Sequence, residues 1–348
     1  MRYRFCEQLK KSVFFDSNAV LHCCNCTQFK DTVFYSDYQG GKIDWKELID
    51  EKLRCQQLAK EGKIPFEACE NCHMWREDDW DEGGYLDEIV ISHWTACNCD
   101  CFYCYSAKDK KKYNSFKPYD LYPVLKDLVN TKLLKFSDDN KGMIRFLGGD
   151  VSKLKDFSKI VKLFIKAGAK NFYIPTSGIK YLPVVAKVLK QGVAEVIVSA
   201  DCGNAELYKK IKRVDKYKKV RENMKKYAKA AKKGNAVFKS KYIVLPFVND
   251  TKECIDEWFE ECLNLGIENV ADDFEDNFSA AFSQQIPKHI PELLDYIHKT
   301  ADELNLKVNR FRYASQLFYE LENGTARLAE DDFCFDEQKT FMENLLLR

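Results

Sequence analysis

Proline and glycine are scarce, 8 and 15 of 348 residues, which excludes a collagen-like or linker-dominated chain. No apolar run approaches the roughly 20 residues of a membrane helix, so no span is expected. The opening stretch MRYRFCEQLKKSVFF lacks the apolar core of a secretory signal. A reducing cytoplasm is therefore the expected compartment. The net charge is only +1, so the chain as a whole is not built to coat nucleic acid, and neither nucleic acid nor a membrane is an expected partner. No internal repeat and no low-complexity segment stands out. What remains is a mixed composition, 45% hydrophobic and 31% charged. That length can bury a large core, as two domains or as one barrel-sized domain with an annex.

Cysteine, by contrast, is abundant. Fifteen residues are many for a compartment where disulfides are rare, and metal ligation is the natural alternative. Cys6, Cys23, Cys24 and Cys26 lie near the start and are joined by Cys69 and Cys72. A dense run holds Cys97, Cys99, Cys101 and Cys104. Cys55, Cys202, Cys254, Cys262 and Cys334 are scattered and read as small buried hydrophobes.

Up to residue 84 the periodicity is weak. This Cys-rich segment ends in an acidic, Gly-containing stretch, Glu77 to Gly84, which reads as a boundary and, around Trp80, as solvated linker. A metal site would help to hold so irregular a segment. Beyond it, short apolar runs alternate with helical stretches. The strands are expected at Glu88–His93, Met143–Leu147, Asn171–Ile174, Val196–Ser199, Ser240–Leu245 and Asn269–Asp272. Helices are expected at Tyr119–Lys132, Lys153–Ala167, Tyr181–Gln191, Ala205–Lys233 with a break near Asp215, Lys252–Leu265 and Pro291–Leu304. Gly168, Gly192, Gly234 and Gly266 each follow a helical stretch as a C-terminal cap would. The alternation implies βαβ units and a parallel sheet, hence an α/β fold forming a partial (β/α)6 TIM-like barrel with a small N-terminal annex. The expected divisions are 1–84, 85–280 and a helical extension over 281–348.

In WTACNCDCFYCYS, the cysteines 97, 101 and 104 are spaced C-x3-C-x2-C directly after the first strand of this barrel. That loop lies at the strands' C-terminal face, where such folds place active sites. Three thiolates can hold three corners of a four-iron cluster that ordinarily takes four Cys, leaving one iron open. Zinc on all four cysteines of the run is the rival reading.

With aromatic Tyr103 before the last Cys, the motif resembles the signature of the radical S-adenosylmethionine (SAM) enzymes. Gly148-Gly149-Asp150 ends the second strand where that family carries Gly-Gly-Glu. Ser177-Gly178 ends the third strand and Ser199-Ala200-Asp201 the fourth. The stretches VIVSADCGNAELYKKIKRVDKYKKVRENMKKY and KYIVLPFVND are similar to the family's fourth and fifth strands and their exits. The resemblance covers roughly Gly84 to Asp276. It implies a [4Fe-4S] cluster on Cys97, Cys101 and Cys104. SAM would be cleaved there to a 5′-deoxyadenosyl radical that abstracts hydrogen from a peptide, sugar or aminocyclitol. It also implies an external electron donor such as a flavodoxin or ferredoxin. Tyr103, Gly148, Gly149, Asp150, Ser177 and Ser199 would shape the SAM site. The two glycines would let the backbone approach the methionine moiety, and Asp150 would accept from its amino group. Two positions depart from the family pattern: Asp150 replaces Glu, and Val151 stands where Pro is common.

Cys6, Cys23, Cys69 and Cys72 could complete one four-Cys site. Asp16-Ser17 leads into VLHCC between the first two, and a C-x2-C follows. This resembles half of the SPASM or twitch modules that hold auxiliary iron–sulfur clusters, although those normally follow the barrel. A structural zinc is the alternative. Cys24 or Cys26 could replace Cys23, and His22 or His73 could join a mixed site.

The charge is segregated. Lys209 to Lys233 carries thirteen Lys/Arg against two acids, and Glu253 to Asp276 carries ten acids without a Lys or Arg. The two blocks are expected to face each other on neighbouring helices. Tyr217, Val220, Met224 and Tyr227 recur at helical spacing as a core face. Asp272-Asp273, at the exit of the sixth strand, could meet a polyol or amine substrate. The competing function is a zinc-stabilised, non-catalytic binding protein that uses the basic stretch.

Overall fold

The computed structural model describes residues 2–23, 32–70, 72, 74–104, 118–136, 142–274, 285–322 and 327–328. Cys24, Cys26, His73, Cys334 and the tail from residue 331 lie outside the described residues. The chain divides into two compact units, 1–96 with 111–174 and 97–110 with 175–348.

In the first unit, β1 (Arg2–Phe5) pairs antiparallel with β5 (Arg76–Asp79). The stretch read as solvated linker is therefore partly a strand. Its acids face water, but Trp80 is buried, donates from Nε1 to Tyr3 O at 2.8 Å and meets Phe5 edge-on. α1 (Glu7–Lys11) leads into β2 (Ser12–Phe15), whose four residues are all buried. β2 turns at Asp16, whose N–H donates to Ala19 O at 2.9 Å, into β3 (Val20–Leu21), and β4 (Val33–Tyr35) pairs with β3. β2 also pairs in parallel with β6 (Glu88–Ile91), so the N-terminal segment supplies strands to the main sheet. The strand order of this unit is β8-β7-β6-β2-β3-β4, with β7 at Met143–Phe146 and β8 at Phe172–Thr176 crossing the division.

α2 (Trp45–Lys60) is a 16-residue helix that the sequence reading passed over. Asp44 caps it by accepting from Glu47 N at 3.0 Å. Its buried face recurs every three or four residues, Trp45, Leu48, Ile49, Lys52, Cys55, Gln56 and Ala59. Polar residues within that face conceal it. α3 (Leu121–Asn130) and α4 (Phe157–Lys166) are amphipathic, with Leu121, Val124, Leu125 and Leu128, and Phe157, Ile160, Val161 and Phe164, buried.

In the second unit the order is β13-β11-β10-β9, all parallel: β9 Ala194–Ser199, β10 Val237–Val244, β11 Asn269–Phe274 and β13 Lys307–Arg310, while β12 (Gln285–Ile286) belongs to a separate two-stranded sheet. α5 (Pro183–Lys190) precedes β9, α6 (Ala205–Lys212), α7 (Tyr217–Gly234), α8 (Lys252–Leu265) and α9 (His289–Glu303) run between the strands, and α10 (Arg312–Glu322) follows β13. From β6 to β11, six strands alternate with helices, the α/β partial-barrel class expected. The break near Asp215 is real: Arg213 takes a left-handed conformation at φ 57° and ends α6.

Gly168, Gly192 and Gly266 take positive φ after their helices, but Gly234 does not. It is the last residue of α7, and Asn235 supplies the left-handed cap. A Cβ at Gly234 would stand 2.0 Å from Leu189 O, so glycine is required there by close helix approach.

The two charge blocks do meet, through Arg221 and Glu261 (Nη2 to Oε2, 2.9 Å) and through Lys232 and Glu268 (2.8 Å). Tyr217, Val220, Met224 and Tyr227 are buried as a core face.

Candidate active site

In the second unit, the loop from Cys97 to Cys104 is tied to the end of α6 by its backbone. Asp100 N donates to Lys212 O at 3.1 Å and Phe102 N to Ile211 O at 3.3 Å. Phe102 is buried and anchors the loop; Cys97 is exposed, while Cys101 and Cys104 are half-buried. The thiols lie within one another's reach. Cys99 hydrogen-bonds Cys101 and Cys97, which raises its own thiol pKa, and Tyr103 feels both Cys101 and Cys104. Cys101 is held below the usual thiol range by the Cys99 hydrogen bond and by the charge of Lys212.

Beside this loop is a buried polar network that the sequence reading missed. Asp201 is fully buried at φ 60°, a strained left-handed conformation for a non-glycine residue. Its Oδ1 accepts from Ile243 N at 3.0 Å, and its Oδ2 accepts from the Tyr103 hydroxyl at 2.7 Å and from Lys212 Nζ. Lys212 Nζ also donates to the Tyr103 hydroxyl at 2.7 Å. Burial opposes the charge of Lys212, but Asp201 and Cys101 together raise its pKa above the ordinary lysine range. Asn249, also buried, donates to Asp201 O and Ile243 O at 2.9 and 3.0 Å and accepts from Leu245 N at 2.7 Å. The network locks Tyr103 to the exits of β9 and β10. In the sequence, Asp201 was visible only as the last residue of Ser-Ala-Asp, and Lys212 was lost among surface lysines.

Ser177 follows β8, and its Oγ accepts from Ile179 N at 3.4 Å. The adjacent Gly178 stands at φ 72° against Val198 and Val220. Ser199 ends β9 and is paired in register with Lys241 of β10. Asp272 is consumed inside the unit by His298 (3.0 Å) and Arg310 (3.2 Å). Asp273 accepts from Lys241 at 3.0 Å and from Phe274 N at 3.0 Å. Both acids already have internal partners, which is the ordinary arrangement for buried carboxylates.

In the first unit, Gly148-Gly149-Asp150 follows β7 and continues its pairing with the exit of β6. Gly149 N donates to Trp94 O at 2.8 Å and Asp150 N to Ala96 O at 3.0 Å. A Cβ at Gly148 would stand 2.3 Å from Trp94 O, and one at Gly149 would stand 2.2 Å from Ala96 O. The glycine pair is thus required by the chain's own packing. Asp150 is buried and its Oδ1 accepts from Ser152 N at 2.9 Å.

The first unit also gathers the other cysteines. Cys6 precedes α1, Cys23 follows the β2–β3 hairpin, and Cys69 closes a short 3-10 turn (Glu67–Cys69) before Cys72. Cys6, Cys23 and Cys69 are buried, and Cys72 is half-buried. They act on one another electrically. Burial first, then Cys23 and Cys72, push the Cys6 thiol up to about 11. Burial, Cys23 and Cys6 push Cys69 up to about 12. His22 is buried, stacked on Phe66, and lowered to about 3 by burial and by Lys52, so it is neutral.

Among the described residues, no three His, Cys, Asp or Glu side chains stand in preformed metal-binding geometry. In kind, thiols that influence one another electrostatically are soft donors that suit soft-metal centres, and each group has a buried lysine among its ionisable neighbours.

A family model described as the radical SAM superfamily matches residues 91–262. That span contains the cysteine loop, Gly148–Asp150 and the Asp201–Lys212 pair. A probable GTP 3′,8-cyclase of Saccharolobus islandicus is 23% identical over 188 residues, 54% of this chain and 56% of that protein. One of Methanocaldococcus jannaschii is 27% identical over 145 residues, 41% of this chain and 46% of that protein. The chain spans about half the length of these curated relatives. The crystal structure of Streptococcus suis SuiB bound to precursor peptide SuiA shares the fold at a TM-score of 0.52 and 11% identity, covering 92% of this chain and 75% of that one. The fold is shared, and over residues 91–262, just under half of the chain, the sequence is similar to the radical SAM superfamily.

Proposed function

We propose that this chain is a radical SAM enzyme that acts on a peptide, with Cys97, Cys101 and Cys104 as the ligands of a [4Fe-4S] cluster. The observation that carries the reading is the anchored loop. Its backbone is pinned to α6 and Tyr103 is fixed by Asp201 and Lys212, while Cys97 stays exposed. Such a loop holds its thiols at the surface of a rigid base, ready for a cluster that takes three protein ligands. When bound, cluster and SAM supply the electron and the hydrogen-abstracting radical. The chain's own residues position and shield. Lys212 places a fixed positive charge beside Cys101 and favours its thiolate. Asp201 holds that lysine and orients Tyr103. Asp150, Gly148, Gly149, Ser177, Ser199 and Tyr103 are the SAM contacts that the resemblance assigns.

Cys6, Cys23, Cys69 and Cys72 hold a second centre in this reading, an auxiliary iron–sulfur cluster or a structural zinc. Their mutual electrostatic reach and the hairpin between Cys6 and Cys23 support it. The residue spans 1–84, 85–280 and 281–348 are the corresponding functional divisions. A flavodoxin or ferredoxin is the expected class of electron donor.

The peptide reading rests on the coverage of the SuiB–SuiA structure; the curated cyclases favour a nucleotide instead. Anaerobic reconstitution tests the core claim. About four irons and sulfides per catalytic cluster, with reductant-dependent release of 5′-deoxyadenosine, are expected. A colourless zinc protein inert to SAM would contradict it. Release stimulated by a peptide library but not by GTP would favour the peptide; the reverse would favour the nucleotide.

A further inference from the structure

Lys52 lies in the middle of α2 and is 2% exposed. Its Nζ donates to Leu9 O at 2.9 Å and to His22 O at 3.0 Å. Among the described residues it forms no ion pair with a carboxylate. Burial lowers its ammonium to about 8, against the raising influence of Cys23, Cys55 and Cys6 and then of Glu88, which is already paired with Arg145 at 2.5 Å. A buried cation without an anion is costly, and native chains seldom keep one unpaired. Lys212, the other buried lysine beside cysteines, has Asp201. Among the described residues, the partners of Lys52 Nζ are these two carbonyls.

The two carbonyls are informative. Leu9 lies in α1, which begins immediately after Cys6, and His22 immediately precedes Cys23. Lys52 therefore ties together the two segments that carry the first two cysteines of the quartet. A lysine has three donors, and two are used on these carbonyls. A divalent metal or an oxidised cluster held by four thiolates carries net negative charge, which a neighbouring ammonium offsets.

We infer that Lys52 is the positioning and counter-charge residue of the N-terminal four-cysteine centre: it fixes the Cys6 and Cys23 segments and supplies the positive charge that a metal-bound set of thiolates requires. The inference rests on the second centre proposed above, and it holds for zinc and for iron–sulfur alike. Loss of Lys52 removes a neighbour of the ligands and not a ligand itself, so the metal is weakened and not abolished.

The test uses the full chain, reconstituted anaerobically, with bound metal counted and its release to excess EDTA followed. The double variant C69A/C72A defines the N-terminal metal; if its metal content equals that of the parent, no second centre exists and the underlying reading fails. If that variant loses metal, K52M decides about Lys52. Release of the N-terminal metal on the order of 10- to 100-fold faster, with the iron on Cys97, Cys101 and Cys104 unchanged, is expected. Release at the parent rate from folded K52M would overturn the inference. Should K52M not fold, K52R keeps the charge and is expected to retain the N-terminal metal. Folded K52R stripped of that metal would overturn it.

Discussion

The two cysteine groups are built on opposite plans. In the second unit, Cys97 is exposed, and Cys101 is held below the ordinary thiol range by Cys99 and Lys212. In the first unit, Cys6 and Cys69 are buried and pushed up to about 11 and about 12. The cations differ too: Lys212 is matched by a carboxylate, and Lys52 is not. In the proposed reading the same side chain serves two ends. An exposed, thiolate-favouring loop suits a centre that must accept a further ligand. A buried set that resists ionisation until metal arrives suits a closed one, in which metal binding and local order form together.

The comparison can be broken most severely at the ligands. Changing Cys97, Cys101 or Cys104 to Ala should reduce SAM cleavage to background, read as 5′-deoxyadenosine released under reductant. The C69A/C72A double change should leave that cleavage in place while removing the N-terminal metal. If both sets of variants fail alike in SAM cleavage, the contrast between an open and a closed site is wrong.

The next effect is on stability. Asp201→Asn leaves Lys212 buried beside a neutral partner and should cost about 3–5 kcal/mol, read by chemical denaturation. Replacing both partners, as in D201N/K212M, should cost less than D201N alone, because the stranded charge goes. Equal losses would mean that Lys212 finds compensation elsewhere.

Acid sharpens the comparison, because the buried neutral histidines lie in the first unit. His22 is lowered to about 3 and His93 to about 4, each by burial first. Their Nδ1 atoms have no hydrogen-bond partner among the described residues. An unfolded histidine takes up a proton near pH 6.5, whereas these remain neutral in the fold. Stability is therefore intact above about pH 6.5 and falls as the pH drops toward the folded values, by about 2 kcal/mol per histidine at pH 5. Thermal midpoints of the parent and of His93→Gln between pH 7 and 5 should converge on acidification. Parallel curves would deny His93 that role.

The smallest effect is steric. Gly149→Ala places a methyl against Ala96 O and should cost roughly 1–3 kcal/mol of stability.

Much of the α/β core was legible because its strands are short buried runs between capped amphipathic helices; α8 matches the expected Lys252–Leu265 residue for residue. The C-x3-C-x2-C loop was legible because ligand spacing is local. The N-terminal region was not. The buried face of α2 includes Lys52 and Gln56, so its periodicity is masked, and β2 joins β6 across more than 70 residues of sequence. Lys212 and Asp201 were hidden for the same reason, since a buried lysine is indistinguishable in sequence from its solvated neighbours. Gly148 and Gly149 were recognised, but the requirement for glycine there comes from Trp94 and Ala96, which sequence spacing does not reveal.

The most direct measurement is the electron paramagnetic resonance of dithionite-reduced C69A/C72A, recorded with and without SAM. With the N-terminal centre removed, one reduced four-iron cluster should give the signal, and SAM should change its g-values, because three thiolates leave one iron free to bind it. A signal indifferent to SAM, or no iron signal at all, would contradict the account.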